Sequence, residues 1–586
     1  MASRSVLLIP VLVAAPTLID AQPIIFSAVN SASYENSMIA PGSIFTVFGF
    51  GIGPEQLQSA STYPLPERLA GTSIQVTAGS TVLNCPMIYA SLKQSAAILP
   101  SNTPAGPAVI HVTYNGKTDP SGITVTIQTS AFGIYTVGSS GLGPGVITGV
   151  DYKVKDLENS AHPGETLILW GTGLGPISGA DNIVPTTGQQ FSNVEVYVGS
   201  QPAAVSYAGR SGCCAGLDQI AFQVPASISG CSVPVVLRSG DAISNFVTLP
   251  IATSGSVCSD RAPAIPTSIL TKTLSGAEVR LGALAVGPIA ILHGAGFQFA
   301  HSIAQQLSVL LHSDVSDDDA RRIISSYQVR DLKAIARILR SYQAPKQSPK
   351  QLAHMLRSAI SLDQQGAAVA FGSSGGLSAL ALPFASHLPP AGACIVTREP
   401  SVPDGIHTRF LDAGPSLNIN GPLGQRTMSQ MRGQYQISFG SGFSTGLVPP
   451  GVYTISGTGG RDIPAFSSSL TVSNAITWTN KAASTSIDRS QPLTVTWAGA
   501  SVPGYVMIGA SVHTINENTT LACTEDSAKG SFTIPAFALA ALPAVSSRYA
   551  YMFVAPHPLS NLVSIPGLDV AYFVNGSSDY QAVELR

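Results

Sequence analysis

Two stretches of the sequence share one unusual pattern. Pro41–Pro54 reads PGSIFTVFGFGIGP, and Pro163–Pro176 reads PGETLILWGTGLGP. In each stretch, Pro-Gly is followed by six residues and then by Gly-x-Gly-x-Gly-Pro, and the two copies lie 122 residues apart. Each copy is therefore either a strand that ends in a glycine turn or a strand that leads into a phosphate-binding loop.

The spacing of the glycines favours the turn. The dinucleotide-binding fingerprint is Gly-x-Gly-x-x-Gly at the junction of a strand and a helix. Here a proline directly follows the third glycine, and no helical periodicity follows in either copy. Without a helix N-terminus there is no array of free N–H groups to hold a phosphate. We therefore predict two strands that each end in a tight glycine bend.

The similarity between the two copies continues beyond these stretches. An alternating strand follows each glycine cluster, at Ser73–Ser80 and at Asn193–Ser200, and each copy closes with another strand, at Ile123–Ile127 and at Phe246–Ile251. In Asn193–Ser200 the three valines share one face, which is the period-2 pattern of a half-buried strand. Short strands separated by turns over about 100 residues predict an immunoglobulin-type β-sandwich.

The order of these segments resembles IPT/TIG immunoglobulin-like domains. The second copy resembles more closely a Cys-Cys-containing Ig-like domain of uncharacterised secreted acidobacterial proteins, on the segments SGCCAGLDQIAFQVP and GCSVPVVLRSGDAISNFVTL. The later segments LDAGPSLNINGP and PPGVYTISG are also similar to those proteins. The resemblance covers residues 22–258 and 405–586. It implies export and an Ig-like fold, and it implies no activity.

The N-terminus and the charge content both indicate export. Residues 1–21 read as a signal peptide, because Arg4 precedes the apolar run Val6–Leu18, which is too short to span a membrane. Charged residues make up only 11% of the chain, against about 25% in typical proteins. The net charge of −2 does not favour nucleic acid as a partner. We expect an extracellular or cell-surface location and no membrane span.

The seven cysteines fit an exported protein, in which disulfides are permitted. Cys213 and Cys214 are adjacent, so we expect each to pair with a distant partner and not with the other. A zinc site would need a spacer between such cysteines, and we predict neither a metal nor a cofactor. Cys394–Cys523 is a candidate pair for which spacing gives no argument. The disulfide candidates within one 46-residue stretch are Cys213, Cys214, Cys231 and Cys258.

The middle of the chain, residues 262–400, has a different pattern. Ser316 and the three aspartates after it have the composition of a helix N-terminus. Apolar residues then recur at i, i+3, i+4 and i+7 from Leu332 to Leu339. These features predict amphipathic helices within about 316–364. Their basic faces are expected to be solvated, and the alternative is that they bind an acidic partner or a membrane surface.

Strand patterning returns near Leu411. In LTVTWAG, the side chains of Leu493, Val495 and Trp497 share one face of a strand. The predicted fold class is mainly β, with tandem Ig-like β-sandwiches and a short α-helical insertion in the middle. The β units are expected at residues 22–130, 145–258, 405–478 and 482–586.

One constellation offers an alternative in catalysis. Gly372–Gly376 reads GSSGG and satisfies the Gly-x-Ser-x-Gly nucleophile elbow around Ser374. Asp404 and His407 follow in the order Ser, acid, base that an α/β-hydrolase uses. However, only two residues separate this acid from this base, and no repeated strand–helix alternation surrounds the motif. Serine hydrolase activity with Ser374, Asp404 and His407 is therefore the alternative hypothesis.

The favoured hypothesis is a non-catalytic role. Loops at the ends of β-sandwiches carry recognition in many folds. We therefore expect a secreted or cell-surface protein with a binding, adhesion or spacer role, and an extracellular partner such as a polysaccharide or an envelope protein.

Overall fold

The protein is almost entirely β, as the sequence predicts. The computed structural model describes residues 22–35, 38–185, 189–258, 272, 277–288, 365–375, 389–398, 409–431, 433–440, 448–474, 476–499, 504–513, 518–546, 550–558, 562–575 and 578–586. The helices expected within 316–364 and the signal peptide expected at 1–21 lie outside these residues.

The first sandwich consists of two sheets. One sheet has the order β1-β3-β8-β7-β4, and the other has the order β2-β11-β9-β5-β6, with β10 beside β9. Alternate side chains of both sheets, including Phe45, Val76 and Ile110, fill the core between them. The strands are β1 Ile24–Asn30, β2 Met38–Ile39, β3 Ile44–Phe50, β4 Gln58–Ser59, β5 Thr72–Ala78, β6 Thr81–Cys85, β7 Met87–Ala90, β8 Gln94–Ile98, β9 Gly106–Tyr114, β10 Lys117–Thr118 and β11 Ile123–Ile127.

The second sandwich is formed by one bent sheet of the order β12-β14-β17-β16-β15-β18-β19. Strand β16 pairs with β15 through Ala203 and with β17 from Ala204 onward, and a bulge between Val205 and Tyr207 interrupts the pairing with β17. Both layers contribute to one core, for example Leu169 and Val235. The strands are β12 Gly133–Ile134, β13 Ile147–Gly149, β14 Thr166–Thr172, β15 Val194–Val198, β16 Gln201–Arg210, β17 Asp218–Gln223, β18 Gly230–Ser239, β19 Ala242–Ile243 and β20 Val247–Ile251.

The two proline-glycine stretches are strands that end in glycine bends, which confirms the prediction. β3 ends at Phe50, and Gly51 follows it with a φ of 68°. β14 ends at Thr172, and Gly173 follows it with a φ of 111°. These φ values favour glycine because a Cβ atom would be strained there. Within the described residues 51–71 and 173–185, no helix follows either bend.

The rest of the described chain adds twenty strands and three short helical segments. The helical segments are Lys481–Ser484, Ser527–Lys529 and the α-helix α1, Ala536–Ala540. The strands are β21 Glu278–Pro288, β22 Gln365–Gly375, β23 Ala393–Arg398, β24 Arg409–Phe410, β25 Ser416–Gly421, β26 Gly424–Met431, β27 Gln434–Gly440, β28 Gly451–Gly457, β29 Phe466–Val472, β30 Thr477–Trp478, β31 Ser486–Ile487, β32 Leu493–Ala498, β33 Gly504–His513, β34 Asn518–Asp526, β35 Ser531–Ile534, β36 Ala550–Pro558, β37 Leu562–Val563, β38 Val570–Asn575, β39 Asp579–Ala582 and β40 Glu584–Leu585.

The third sheet draws its strands from three parts of the chain. Its order is β29-β28-β25-β26-β27-β22-β21-β38-β37, with β24 beside β22. β21 pairs in parallel with β38, so that Leu281 lies opposite Val570. Residues from both ends of this sheet, such as Leu470 and Phe573, share one core. This sheet therefore combines β21 and β22 with the strands of residues 409–472 and with β37 and β38.

The fourth unit packs the sheet β23-β34-β33-β36-β39 and the sheet β30-β32-β35 around one core. Trp478 and Trp497 lie in this core, as does Phe537 of α1. Phe537 also stacks on Tyr197 of the second sandwich, with the ring centroids 4.2 Å apart. The aromatic contact therefore joins the second sandwich to the C-terminal unit.

Candidate functional site

A cleft of about 650 Å³ lies beside the third sheet. It is formed by three short segments: the residues that follow β24, the turn between β26 and β27, and the loop between β28 and β29. Loops that a rigid sheet holds in place are common positions for binding groups. Its lining includes Phe410, Asp412, Gln430, Gly433, Gly460 and Arg461.

Asp412 organises the backbone of the cleft. Its Oδ1 accepts a hydrogen bond from the Gly414 N–H (2.8 Å), and its Oδ2 accepts one from the Arg461 N–H (3.3 Å). Gly460 makes this approach of two loops possible, because a Cβ atom there would collide with the amide nitrogen of Gly414. The Asp412 carboxylate thus joins the segment after β24 to the loop before β29.

Asp462 supports the same two segments from the other side. Its Oδ2 accepts from the Asp412 N–H (3.0 Å), and its Oδ1 accepts from Nη1 of Arg409 (3.2 Å). Nη2 of Arg461 also donates to Oδ2, at 3.4 Å. The hydrogen bond from the Asp412 amide, with the Arg409 guanidinium next in effect, lowers the pKa of Asp462 to about 2. Asp462 is therefore ionised at neutral pH and holds both arginines.

Phe410 provides an aromatic surface at the cleft. Its side chain is 43% exposed, and its ring lies over Gly433, where a Cβ atom would overlap it. Gly433 has a φ of 83°, so the turn itself also favours glycine. Beneath the cleft, the buried Tyr435 hydroxyl donates to the Gly414 carbonyl (2.7 Å) and accepts from the Ala413 N–H (3.0 Å). Burial raises the pKa of Tyr435, which keeps its hydroxyl protonated as a donor.

Of the residues suggested for hydrolysis, the structure describes the backbone of Ser374. Ser374 lies in β22, opposite Val279 of the antiparallel strand β21. A nucleophile elbow instead places its serine at a sharp turn between a strand and a helix. Asp404 and His407 lie outside the described residues, so the triad of the alternative hypothesis stays a prediction.

The cysteines give one correction. Cys213 and Cys214 bond to each other, with Cα atoms 3.8 Å apart, so the expectation of distant partners was wrong. Both residues lie in the short connection between β16 and β17. Cys231 and Cys258 bond to each other beside the sandwich core, so neither of them pairs with Cys213 or Cys214. The structure also joins Cys394 of β23 to Cys523 of β34, which lie directly opposite each other in adjacent strands. Cys85 is a buried free thiol.

The described residues lack two further features. In this part of the chain, no group of three or more His, Cys, Asp or Glu side chains is arranged to hold a metal ion. Among the helices that the structure describes, none is both long and apolar enough to cross a membrane.

The cleft residues were not predicted as a site from the sequence. The segment LDAGPSLNINGP, which contains Asp412, was noticed only for its resemblance to other proteins. The available signal was weak: an Asp-x-Gly-Pro turn and a second turn, Gly459–Asp462, are separated by about fifty residues. Neither turn has the residue spacing of a catalytic or metal-binding motif. The two turns form a candidate site only in the folded protein, where Asp412 contacts both of them.

Comparisons with known proteins identify no family for this chain. No protein-family model matches the chain, and no curated protein matches it significantly. The chain is a mainly β protein of tandem Ig-like sandwiches.

The solved structures to which it is similar are distant. The extracellular region of plexin A4 matches over 39% of this chain and only 18% of its own length, with 13% identity and a TM-score of 0.16. SGBP-B of the Bacteroides ovatus mixed-linkage glucan utilization locus, in complex with a mixed-linkage heptasaccharide, matches over 46% of this chain and 61% of its own, with 11% identity and a TM-score of 0.20. The fibronectin(III)-like modules of Clostridium thermocellum CbhA match over 39% of this chain and 95% of their own length, with 11% identity and a TM-score of 0.12. Similarities at this level do not identify a function.

Proposed function

We propose that this protein is exported, has no catalytic role and binds a polysaccharide in the cleft beside Phe410. The observation that carries the proposal is the combination of one exposed aromatic ring with fixed hydrogen-bonding groups. The apolar face of a sugar ring packs on an aromatic face, and its hydroxyl groups need polar partners beside that face.

The polar partners are held in place by the backbone. Asp412 is fixed by two N–H donors, and the side-chain amide of Gln430 lies within 3.4 Å of the Tyr435 hydroxyl. A site whose groups are already ordered loses little conformational entropy when a ligand binds. This arrangement therefore supports recognition of a ligand.

Export is supported by two independent features. The described cysteines form three disulfides, and such bonds persist in oxidising compartments outside the cytosol. The sequence of residues 1–21 also has the pattern of a secretory signal. A polysaccharide of the cell surface or the surroundings is the partner that this location supplies.

The test is a retention assay on a panel of immobilised polysaccharides, followed by titration of any that retain the secreted protein. We expect Phe410→Ala to weaken binding about tenfold, which is about 1.4 kcal/mol. Phe50→Ala is the matched control, because Phe50 is an exposed phenylalanine on the first sandwich, 51% accessible. Retention by no polysaccharide, or equal binding by Phe410→Ala and the wild type, would overturn the proposal.

A further inference from the structure

We infer that the ligand of the Phe410 cleft carries carboxylate groups, and that it is a polysaccharide containing uronic acids. This inference rests on the proposed function and names the chemical class of its ligand. It follows from which polar groups of the cleft are already engaged and which remain directed at solvent.

The acidic side chains of the cleft are engaged by the protein. Both oxygens of Asp412 accept backbone N–H groups, from Gly414 and from Arg461. Both oxygens of Asp462 accept hydrogen bonds as well, and its side chain is only 13% exposed. A neutral sugar is held largely through acceptors that take its hydroxyl protons, and the protein's own donors already occupy part of the acceptor capacity of both carboxylates. The inferred preference for an acidic ligand therefore rests on the donors of the cleft.

The exposed polar groups are instead donors. The side chain of Arg461 is 77% exposed, and within the described part of the protein its guanidinium contacts only Asp462, at 3.4 Å. The side chain of Arg409 is 56% exposed and contacts Asp462 and, at 4.0 Å, Glu278. A guanidinium has five N–H donors in a planar fork that matches a carboxylate. Each arginine therefore keeps donors for a ligand.

The position of these donors fits a uronic acid. Arg461 and the Phe410 ring line the same cleft. A uronic acid bound in this cleft therefore has an aromatic residue and a guanidinium in the same lining, for its ring face and for its carboxylate. The backbone N–H of Arg461 is bonded to Asp412, so the starting point of this side chain is fixed even though its end is exposed.

The charge around the cleft shows how the preference would arise. Three arginines, Arg280, Arg409 and Arg461, are balanced by Asp412, Asp462 and Glu278. Among the described residues around the cleft these charges cancel, so we attribute the preference to direct contact between guanidinium and carboxylate. Substitution of Arg461 should consequently reduce the preference for acidic over neutral polymers.

The experiment measures binding of the full secreted chain to polygalacturonate, polymannuronate and hyaluronan, and to the same polymers after their carboxyl groups have been reduced to alcohols. We expect at least one acidic polymer to bind about tenfold or more tightly than its reduced form. Arg461→Gln should abolish this difference, and Arg461→Lys should restore part of it, since a lysine keeps the charge but not the planar fork. Arg426→Gln, on an exposed position of β26, is the matched control and should retain the difference.

The outcomes separate the two proposals. Equal affinity for the acidic and the reduced polymers would overturn the inference and leave polysaccharide binding intact. A preference for the acidic polymers that persists in Arg461→Gln would also overturn it, because the arginine would then not be the contact. Binding of none of these polymers, acidic or reduced, would overturn the inference, whereas the proposed function itself fails only when the wider polysaccharide panel retains no protein or Phe410→Ala binds as the wild type does.

Discussion

Arg210 and Asp218 form a buried ion pair where the first two sandwiches meet. Arg210 is at the end of β16 and Asp218 is at the start of β17, directly opposite each other. Nη2 of Arg210 also donates to the carbonyl of Gly42 (3.0 Å) and to that of Gly175 (2.7 Å). Gly42 belongs to the first proline-glycine stretch and Gly175 belongs to the second. One guanidinium therefore links both copies of the repeated motif.

Arg210→Ala should destabilise the second sandwich strongly. The substitution leaves Asp218 fully buried without its cation, and loss of one partner of a buried pair costs about 3–5 kcal/mol. Trp170 lies in β14 of this sandwich, whereas Trp478 and Trp497 lie in the C-terminal unit. Tryptophan fluorescence during urea denaturation of a Trp478→Phe, Trp497→Phe background therefore reports the free energy of unfolding of the second sandwich.

The control for this measurement is Arg238→Ala. Arg238 faces Glu195 at 3.7 Å on the surface, where the side chains are 44% and 52% exposed, and such a pair contributes about 0–1 kcal/mol. A similar loss of stability in both variants would show that burial of the Arg210–Asp218 pair has no special energetic weight.

The three disulfides should differ in their contribution to stability. By loop entropy, the bond between Cys394 and Cys523, 129 residues apart, contributes about 5 kcal/mol, and the bond across the 27 residues from Cys231 to Cys258 contributes about 3.5 kcal/mol. The bond between the adjacent Cys213 and Cys214 encloses no intervening residues. It should therefore contribute least to the free energy of unfolding. Urea denaturation of the three paired Cys→Ser variants tests this order. A loss for the adjacent pair that exceeds the other two would contradict the entropic argument.

Local patterns predicted the strands of the first two sandwiches well. The alternation in Ile123–Ile127 matches β11, and the valines of Val194–Val198 form β15. Such patterns are readable because the side chains of one strand alternate between core and solvent, whatever the strand pairs with. The contacts of Arg210 could not be predicted from strand alternation, because its carbonyl partners Gly42 and Gly175 belong to loops of two different sandwiches.

The third sheet could be predicted less well because its pairings are distant in the sequence. Glu278–Pro288 and Gln365–Gly375 are joined as neighbours, and the first also pairs with Val570–Asn575. The glycine-rich end of Gln365–Gly375 suggested a nucleophile elbow because its composition fits a turn as well as a strand. The cleft depends on these pairings, because β24 pairs with β22 and this pairing places Phe410 opposite Gly372.

A fluorophosphonate probe should not label the folded protein at Ser374. The backbone at Ser374 continues an antiparallel strand opposite Val279 and lacks the strand-to-helix turn that exposes a catalytic serine. The measurement is gel fluorescence of the secreted protein beside an active serine hydrolase as a positive control. Labelling that disappears in Ser374→Ala would establish the hydrolase hypothesis instead.

The stability of the cleft should depend on pH through Asp462. The folded-state pKa of Asp462, about 2, is below its ordinary value of 3.8. A depressed carboxyl pKa stabilises the folded state above the ordinary value, and this contribution is lost as the pH falls from about 4 toward 2. The melting temperatures of the wild type and Asp462→Asn should therefore differ by a constant amount above about pH 4.5 and converge near pH 2. A difference that does not change over this range would show that ionised Asp462 does not hold the two loops together.

The turn beneath Phe410 gives the most direct test of the cleft. Gly433 has a positive φ, and a Cβ atom there would overlap the Phe410 ring. Gly433→Ala should therefore displace the ring without removing any group that could contact a ligand, and we expect polysaccharide binding to weaken about tenfold. Gly424→Ala is the matched control, because Gly424 has a similar φ of 77° but open space around its Cβ position. Both substitutions carry the same backbone strain, so equal binding by the two variants would mean that the placement of the Phe410 ring does not determine affinity.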